Sequence, residues 1–273
     1  MLPLIAYSTS DLAGLGASRY LVDFLKARRC SVRGVVECFE SDLAMVAGFD
    51  VDVVDLDSYS WLLDGFEYVI VLSRHKAESG RKTLSVHHTG NPTSEAHGGE
   101  PLRLAIAYPA LAWDLLRTYA RISSELGLES YEVTLEATHH GPTSLGVPVV
   151  FIEIGSTEAE WRDEKARSAM AHTVAESLSR RHRDCRTVAA IGGPHYPSRY
   201  TKLSIEGSTC FGHIIARHSV RSEYLEMVVR QAITRSHPKP VEGLIVEKKS
   251  LNREQRDIVA RVAGELGVAV EYI

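Results

Sequence analysis

Short apolar runs alternate with longer segments of helical periodicity along the whole chain. Runs at residues 2–7, 32–36, 51–56, 68–72, 131–137, 147–154, 187–191, 212–216, 243–246 and 268–272 read as strands, and a further strand ends near Val86. Several are rich in Val and Ile with little polar alternation, as expected where helices cover both faces of a sheet. Leu111, Leu115, Tyr119, Ile122 and Leu126 form one helical stripe, bracketed by Pro109 and Gly127. Thr157-Glu158-Ala159-Glu160 is a capping box that opens a helix to about Leu178. Asn252 with Gln255 caps another, in which Ile258, Val262 and Leu266 share a face before Gly267. This alternation predicts an α/β fold with a mixed, largely parallel central sheet flanked by helices. No low-complexity linker or repeat interrupts it, so residues 1–273 read as a single domain. The irregular segment 90–101, with Asn91-Pro92 and Gly98-Gly99, is a loop long enough to be functional.

Composition narrows the classes. A hydrophobic content of 44% excludes disorder. The first residues lack a basic region followed by a long apolar one, and the apolar stretch at 104–113 is about half of what a bilayer requires. A cytoplasmic protein that does not engage the membrane is expected. No exposed apolar helix demands a partner, which predicts a monomer with no obligate protein partner. Cys30, Cys38, Cys185 and Cys210 show no C-x-x-C spacing, so four free thiols are expected. The net charge of −4 disfavours constitutive duplex binding while leaving room for local basic patches. Gly14-Leu15-Gly16-Ala17-Ser18-Arg19, with Glu37 further on, echoes a dinucleotide fingerprint, but Arg19 replaces its third glycine. It reads as an ordinary helix start.

The twelve histidines change the picture most. Six of them fall in or near polar clusters that follow apolar strands. The clusters are His87-His88-Thr89-Gly90-Asn91, Glu136-Ala137-Thr138-His139-His140-Gly141-Pro142-Thr143 and Gly192-Gly193-Pro194-His195-Tyr196, with His213 in a later string. If their strands are parallel, all three clusters lie at the carboxyl edge of the sheet, where open α/β sheets bind ligands. Glu153 adds a carboxylate near the end of an apolar strand and needs a cation, metal or donor partner. On an extended backbone Glu136, Thr138 and His140 share one face and His139 the other. A His/His/carboxylate set drawn from separate loops suits Zn²⁺ with an open water position. His172 and His182 read as solvated, and His218 and His237 have no recognisable company. Arg81-Lys82 and Arg199 with Lys202 flank two clusters and are placed to meet a phosphate backbone.

These strings resemble the archaeal- and plant-type D-aminoacyl-tRNA deacylase family. The matching segments are His87-His88-Thr89-Gly90-Asn91, Thr138-His139-His140-Gly141-Pro142-Thr143, Glu153-Ile154-Gly155-Ser156-Thr157-Glu158-Ala159-Glu160-Trp161, Gly192-Gly193-Pro194-His195-Tyr196 with Arg199-Tyr200-Thr201, and Phe211-Gly212-His213-Ile214. They occur in family order and span essentially the whole chain. The resemblance implies hydrolysis of the ester that joins a D-amino acid to the 3′ end of tRNA. It also implies zinc dependence and a fold similar to peptidyl-tRNA hydrolases and nucleoside phosphorylases.

An aminoacyl ester is already activated, so a positioned water and an oxyanion stabiliser suffice without a protein nucleophile. On this reading His88, His140 and His195 lie closest to the metal or the reacting water. Glu136 and Glu153 act as base or orienters, with His139 and His140 beside them in the catalytic set. Asn91, Thr138, Thr143, Tyr196, Arg199 and Lys202 are the candidate substrate contacts, and the partner is the acceptor end of D-aminoacyl-tRNA. Two other enzymes fit the residues: a zinc hydrolase of small substrates, and a phosphorylase-like enzyme cleaving a glycosidic bond. A non-catalytic RNA-binding module fits poorly, since only 7% of residues are aromatic and no basic stripe is present.

Overall fold

In the computed structural model, which describes residues 1–78, 80–180 and 185–273, most of the apolar runs become strands of two sheets. The strands are β1 (Leu4–Ser8), β2 (Arg28–Arg29), β3 (Glu37–Glu40), β4 (Met45–Phe49), β5 (Val69–Lys76), β6 (Thr83–His87), β7 (Gly90–Asn91), β8 (Arg103–Leu104), β9 (Glu132–Leu135), β10 (Val149–Ser156), β11 (Arg186–Ile191), β12 (Thr209–Ile215), β13 (Gly243–Val246) and β14 (Ala269–Tyr272). The helices are α1 (Leu12–Phe24), α2 (Ser60–Leu63), α3 (Pro109–Glu125), α4 (Glu158–Trp161), α5 (Glu164–Leu178), α6 (Ser198–Glu206), α7 (Ser222–Thr234) and α8 (Arg253–Glu265).

The large sheet runs β2-β3-β4-β1-β5-β10-β6-β9. Its centre, β4-β1-β5-β10, is parallel; β6 then runs antiparallel to β10, and β9 follows β6 in parallel. The second sheet, β12-β11-β13-β14, is wholly parallel. The fold is therefore α/β with a mixed, largely parallel large sheet, as the alternation predicted. One apolar core contains Ile5, Leu72 and Ile152 of the large sheet together with Val188, Phe211 and Ile245 of the small one. Helix α3 joins them: Leu111, Leu115, Tyr119 and Ile122 of its stripe are buried, while α5 and β12 pack against it. Each such side chain contributes about 1.5–3 kcal/mol on burial.

Local chemistry explains where the sequence reading fails. Residues 51–56 were expected as a strand but lie mostly in a 3₁₀ turn, Val53–Tyr59, whose Asp52 carboxylate accepts from the Val54 amide at 3.3 Å. Side-chain capping of this kind competes with sheet pairing. The expected strand at 32–36 is also absent, and the pairing passes to β3. The helix expected from Thr157 to Leu178 breaks in two, because Asp163 starts α5 by accepting from the Lys165 and Ala166 amides. Four free thiols are replaced by two disulfides, Cys30–Cys38 and Cys185–Cys210. Their separations of 8 and 25 residues gave no motif, but β2–β3 and β11–β12 pairing brings the Cα atoms within 5.0 and 5.8 Å. Gly14 is a packing residue rather than a phosphate loop: a Cβ there would collide with the Leu72 carbonyl oxygen, so glycine lets α1 press onto β5. Among the described residues no helix is long and apolar enough to cross a membrane. His172 is exposed and stacks on Phe24, while His182 lies outside the described residues.

Candidate active site

The reversal of β6 decides where the chemistry sits. Were β6 parallel to β10, its histidines would project beyond the sheet edge. Instead His87 pairs with Phe151, Ser85 with Glu153, and Thr83 with Gly155, while Ser73 and His75 of β5 lie opposite Glu153 and Gly155. Residues paired across strands share a face, so His75, His87 and Glu153 meet on one side of the sheet. Glu136 follows β9 at the level of His87, because Leu135 pairs with Val86. The expected site at the carboxyl edge is thus corrected to a site on the sheet face. Two loops cover it, one carrying His139 and His140, the other His195 and Tyr196. Gly155 leaves space for this assembly, since a Cβ there would lie 3.2 Å from the His75 Cβ and collide with Thr83 Oγ1.

The two carboxylates are buried, each about 1% exposed, and share a histidine. Glu136 Oε2 lies 2.9 Å from His195 Nε2 and 3.1 Å from His75 Nδ1. Glu153 Oε2 lies 3.2 Å from the same His75 nitrogen and 3.5 Å from His87 Nε2. Burial lowers the affinity of His75 for its proton, but Glu136 and Glu153 outweigh this and raise its pKa to about 10. His87 is raised by the same contest between burial and Glu153. Burial pushes both carboxyls up, yet His195 and His75 hold Glu136 well below the usual range, and His87 and His75 do the same for Glu153. Both carboxylates are ionised at neutral pH.

The covering loop departs from the extended alternation expected of it. His140 has a left-handed backbone, φ 44°. The two adjacent rings therefore point the same way, 4.3 Å apart between centroids, and both reach the site. His139 Nδ1 donates to the Ala137 carbonyl at 2.8 Å, and His140 Nδ1 donates to the Gly141 carbonyl at 2.6 Å. A carbonyl carries no hydrogen, so each Nε2 keeps its lone pair. Burial, reinforced by neighbouring histidines, lowers His139 well below its ordinary value and His140 to about 4, so both are neutral at pH 7. His139 Nε2 then lies only 3.7 Å from Glu136 Oε2, one electron-pair donor facing another.

Three overlapping sets of donor atoms result, each within 4.8 Å: His75, Glu136, His139 and His195; His87, His139 and His140; and His87, Glu136 and Glu153. Glu136 Oε1 is buried and has no hydrogen-bond partner. Backbone-anchored imidazoles with free Nε2 atoms, converging on buried carboxylates, are donors of the kind that can hold a cation. Beside it opens a cavity of about 570 Å³, lined by His75, His139, His140, Glu153, His195 and Tyr196 together with Asp11, Asp52 and Arg74.

The profile of the family described as D-aminoacyl-tRNA deacylase matches residues 63–271. A D-aminoacyl-tRNA deacylase of Aeropyrum pernix is 47% identical, with 98% of this chain and 99% of that protein aligned. Another of Desulfurococcus amylolyticus is 42% identical over 98% and 99%. The chain belongs to the D-aminoacyl-tRNA deacylase family. Membership makes it an enzyme of the hydrolase class. A crystal structure described as a conserved protein of unknown function superimposes with a TM-score of 0.89 at 29% identity, covering 99% of this chain and 95% of that one.

Within this deacylase fold the predicted residues separate into two groups. Glu136, His139, His140, Glu153, His195 and Tyr196 are brought together; Tyr196 lies against His75 and His195 and beneath the Arg81 guanidinium. Burial, with Glu136, raises the Tyr196 phenol to about 12, which keeps it neutral. His88 is not with them, which corrects its reading as a metal ligand. Its Nδ1 donates to the Gly212 carbonyl at 3.1 Å and its Nε2 accepts from the Tyr108 amide at 3.0 Å, so neither nitrogen is free. The pairing of His87 with Phe151 sends the next residue to the opposite face.

Asn91, Thr138 and Thr143 are struts rather than open contacts. Asn91 Nδ2 donates to the Gly98 and Glu100 carbonyls, tying the 90–101 loop. Thr138 Oγ1 bridges His213 Nδ1 and the Ile214 amide, and Thr143 Oγ1 accepts from the Glu100 amide. Arg199 and Lys202 sit on α6, paired with Glu247 and Glu206, and line other cavities. The sequence reading missed His75. Its signal was the one used elsewhere, a histidine directly after an apolar run, here Val69–Leu72 followed by Ser73-Arg74-His75. Replacing His88 by Ala should lower thermal stability by about 2–4 kcal/mol through an orphaned Tyr108 amide and a cavity. Bound metal per chain, measured by atomic emission, should stay at the wild-type value.

Proposed function

We propose that this chain hydrolyses the ester of D-aminoacyl-tRNA, releasing free D-amino acid and tRNA, with zinc at the histidine–carboxylate cluster. The observation that carries the metal part is the His139 lone pair facing the ionised Glu136 at 3.7 Å, a repulsion that a shared cation removes. Glu136, His139 and His195 would hold the ion, while His75, protonated at neutral pH, donates to Glu136 and Glu153 beside it. When bound, zinc supplies Lewis acidity to the ester carbonyl and to a water at neutral pH.

The remaining work belongs to the chain. His140 is neutral, faces the cavity and keeps an unprotonated Nε2, so it takes the proton of the attacking water. Glu153 fixes His75 and His87 and stabilises their cationic forms. Glu136 orients His75 and His195 from beneath. The leaving group is a ribose hydroxyl of the terminal nucleotide, so no protein nucleophile is required. Family membership and the strings shared with it favour the D-ester over a small-substrate zinc hydrolase. A charged-tRNA substrate fits a cytoplasmic enzyme.

The test is release of D-tyrosine from D-Tyr-tRNA against L-tyrosine from L-Tyr-tRNA, before and after chelation. Preferential hydrolysis of the D-ester that falls on chelation and returns with zinc is the expected result. Equal rates on both esters would overturn the substrate reading. Undiminished activity after complete metal removal would overturn the zinc part alone.

A further inference from the structure

We infer that the carboxyl edge of the small sheet is a second nucleotide subsite, which takes a ribose-phosphate of the RNA strand leading to the reacting ester. This inference rests on the proposed function and adds to it where the strand is held. Strands β11, β12 and β13 are parallel, and their carboxyl ends open onto a crevice of about 550 Å³ lined by Gly193, Pro194, Arg217, His218, Glu247 and Lys249, closed by Ser250. The rule that failed for the catalytic cluster holds here: three parallel strands end at one crevice.

The crevice is built rather than incidental. Its three loops are pinned by backbone bonds, Arg217 N to Gly193 O at 2.8 Å, Gly192 N to Ile215 O at 2.8 Å and Glu247 N to Ile191 O at 2.9 Å. Gly192 and Gly193 have φ of 102° and 86°, a region that excludes ordinary side chains and leaves the floor open. Ser250 Oγ accepts from the Gly193 amide at 3.1 Å and donates to Glu247 at 2.7 Å.

Its charge is distinctive. The exposed Arg217 and Lys249, with Lys248 and Arg221 beside them in sequence, form no ion pair among the described residues. Several cations elsewhere on this half are paired, Arg230 and Arg261 with Glu226 and Glu265, Arg186 with Glu271, and Lys239 with Glu242, whereas Arg235, Arg253 and Arg256 form no ion pair among the described residues. In a chain of net charge −4, two exposed unpaired cations, Arg217 and Lys249, line this crevice. That arrangement attracts a phosphodiester locally while the whole molecule releases nucleic acid readily. The crevice also holds Glu247, half-buried, whose charge Arg199 partly answers at 3.7 Å. A carboxylate repels phosphate but accepts from a ribose 2′-hydroxyl, the group that distinguishes RNA from DNA.

The crevice adjoins the reaction site through a single loop. Pro194 lines the crevice and His195, the next residue, lines the catalytic cavity. A strand whose ester lies against His140 is thereby carried over Pro194 to Arg217 and Lys249.

The experiment compares full-length D-Tyr-tRNA with D-tyrosyl-adenosine, which lacks the phosphodiester. In R217A/K249A the ratio of kcat/KM for the tRNA to that for the adenosine ester should fall about tenfold, and the slope of log KM against log salt should flatten by about 2. An unchanged ratio and slope would overturn the inference. So would equal losses on both substrates, which would place the defect in the catalytic cavity. Filter binding of uncharged tRNA to wild type and R217A/K249A gives a separate reading. Weaker, less salt-dependent binding by the variant supports the crevice even if the D-ester proves the wrong substrate, and identical binding removes it.

Discussion

Replacing Glu136 by Gln lowers turnover of D-Tyr-tRNA about 10³-fold, measured as the single-turnover rate at saturating enzyme. The side chain is the hub of the site, with His195 and His75 both on its Oε2 and His139 facing it. An amide of the same shape carries no charge, so His75 keeps only Glu153 as its counter-ion and the proposed metal set loses its anionic donor. The volume is conserved, and the loss lies in kcat rather than in packing. Thermal melting reports the structural cost separately: breaking a buried charge network costs about 3–5 kcal/mol, which lowers the midpoint but leaves a cooperative transition if the fold survives. A Glu136→Gln enzyme that turns over at the wild-type rate would remove Glu136 from the mechanism.

The second large effect belongs to His139. It is common to two of the three donor sets, with His75, Glu136 and His195 in one and His87 and His140 in the other. His139→Ala should therefore abolish stoichiometric zinc and lower activity by more than about 10²-fold, exceeding the 10–100-fold typical of losing an outer-shell partner. Wild-type enzyme stripped by a chelator should regain full activity on adding zinc, whereas His139→Ala should not. Metal analysis and rates on the same samples make the comparison. Wild-type activity in metal-free enzyme would refute the zinc assignment and leave the ester hydrolysis to be explained by His140 and the carboxylates.

Much of the fold was legible because its signals are local. The apolar stripe from Leu111 to Ile122 became α3, and the runs that became β1, β5, β10, β11 and β13 were read within a few residues. The Asn252–Gln255 box caps α8 as its spacing predicted. Failures were local too where a polar side chain redirected the backbone, as Asp52 and Asp163 did. The site was legible as a set of residue types. Glu136, His139, His140, Glu153 and His195 stood out because polar groups directly after apolar strands are costly to bury without a purpose.

Which histidines share a centre was not legible, since that depends on strand direction and on one backbone torsion. His87 and His88 are equivalent in sequence, but an antiparallel pairing to Phe151 turns the first toward Glu153, and the second bonds Gly212 and Tyr108 instead. His139 and His140 converge because His140 is left-handed. The disulfides follow the same logic, joining cysteines that only strand pairing makes neighbours. Sequence alone determined the α/β class, the deacylase family and the chemical vocabulary of the site, because periodicity, caps and motif strings are short-range properties. The tertiary structure decided which imidazoles face the carboxylates and which are struts, because that depends on contacts between residues as far as 124 positions apart.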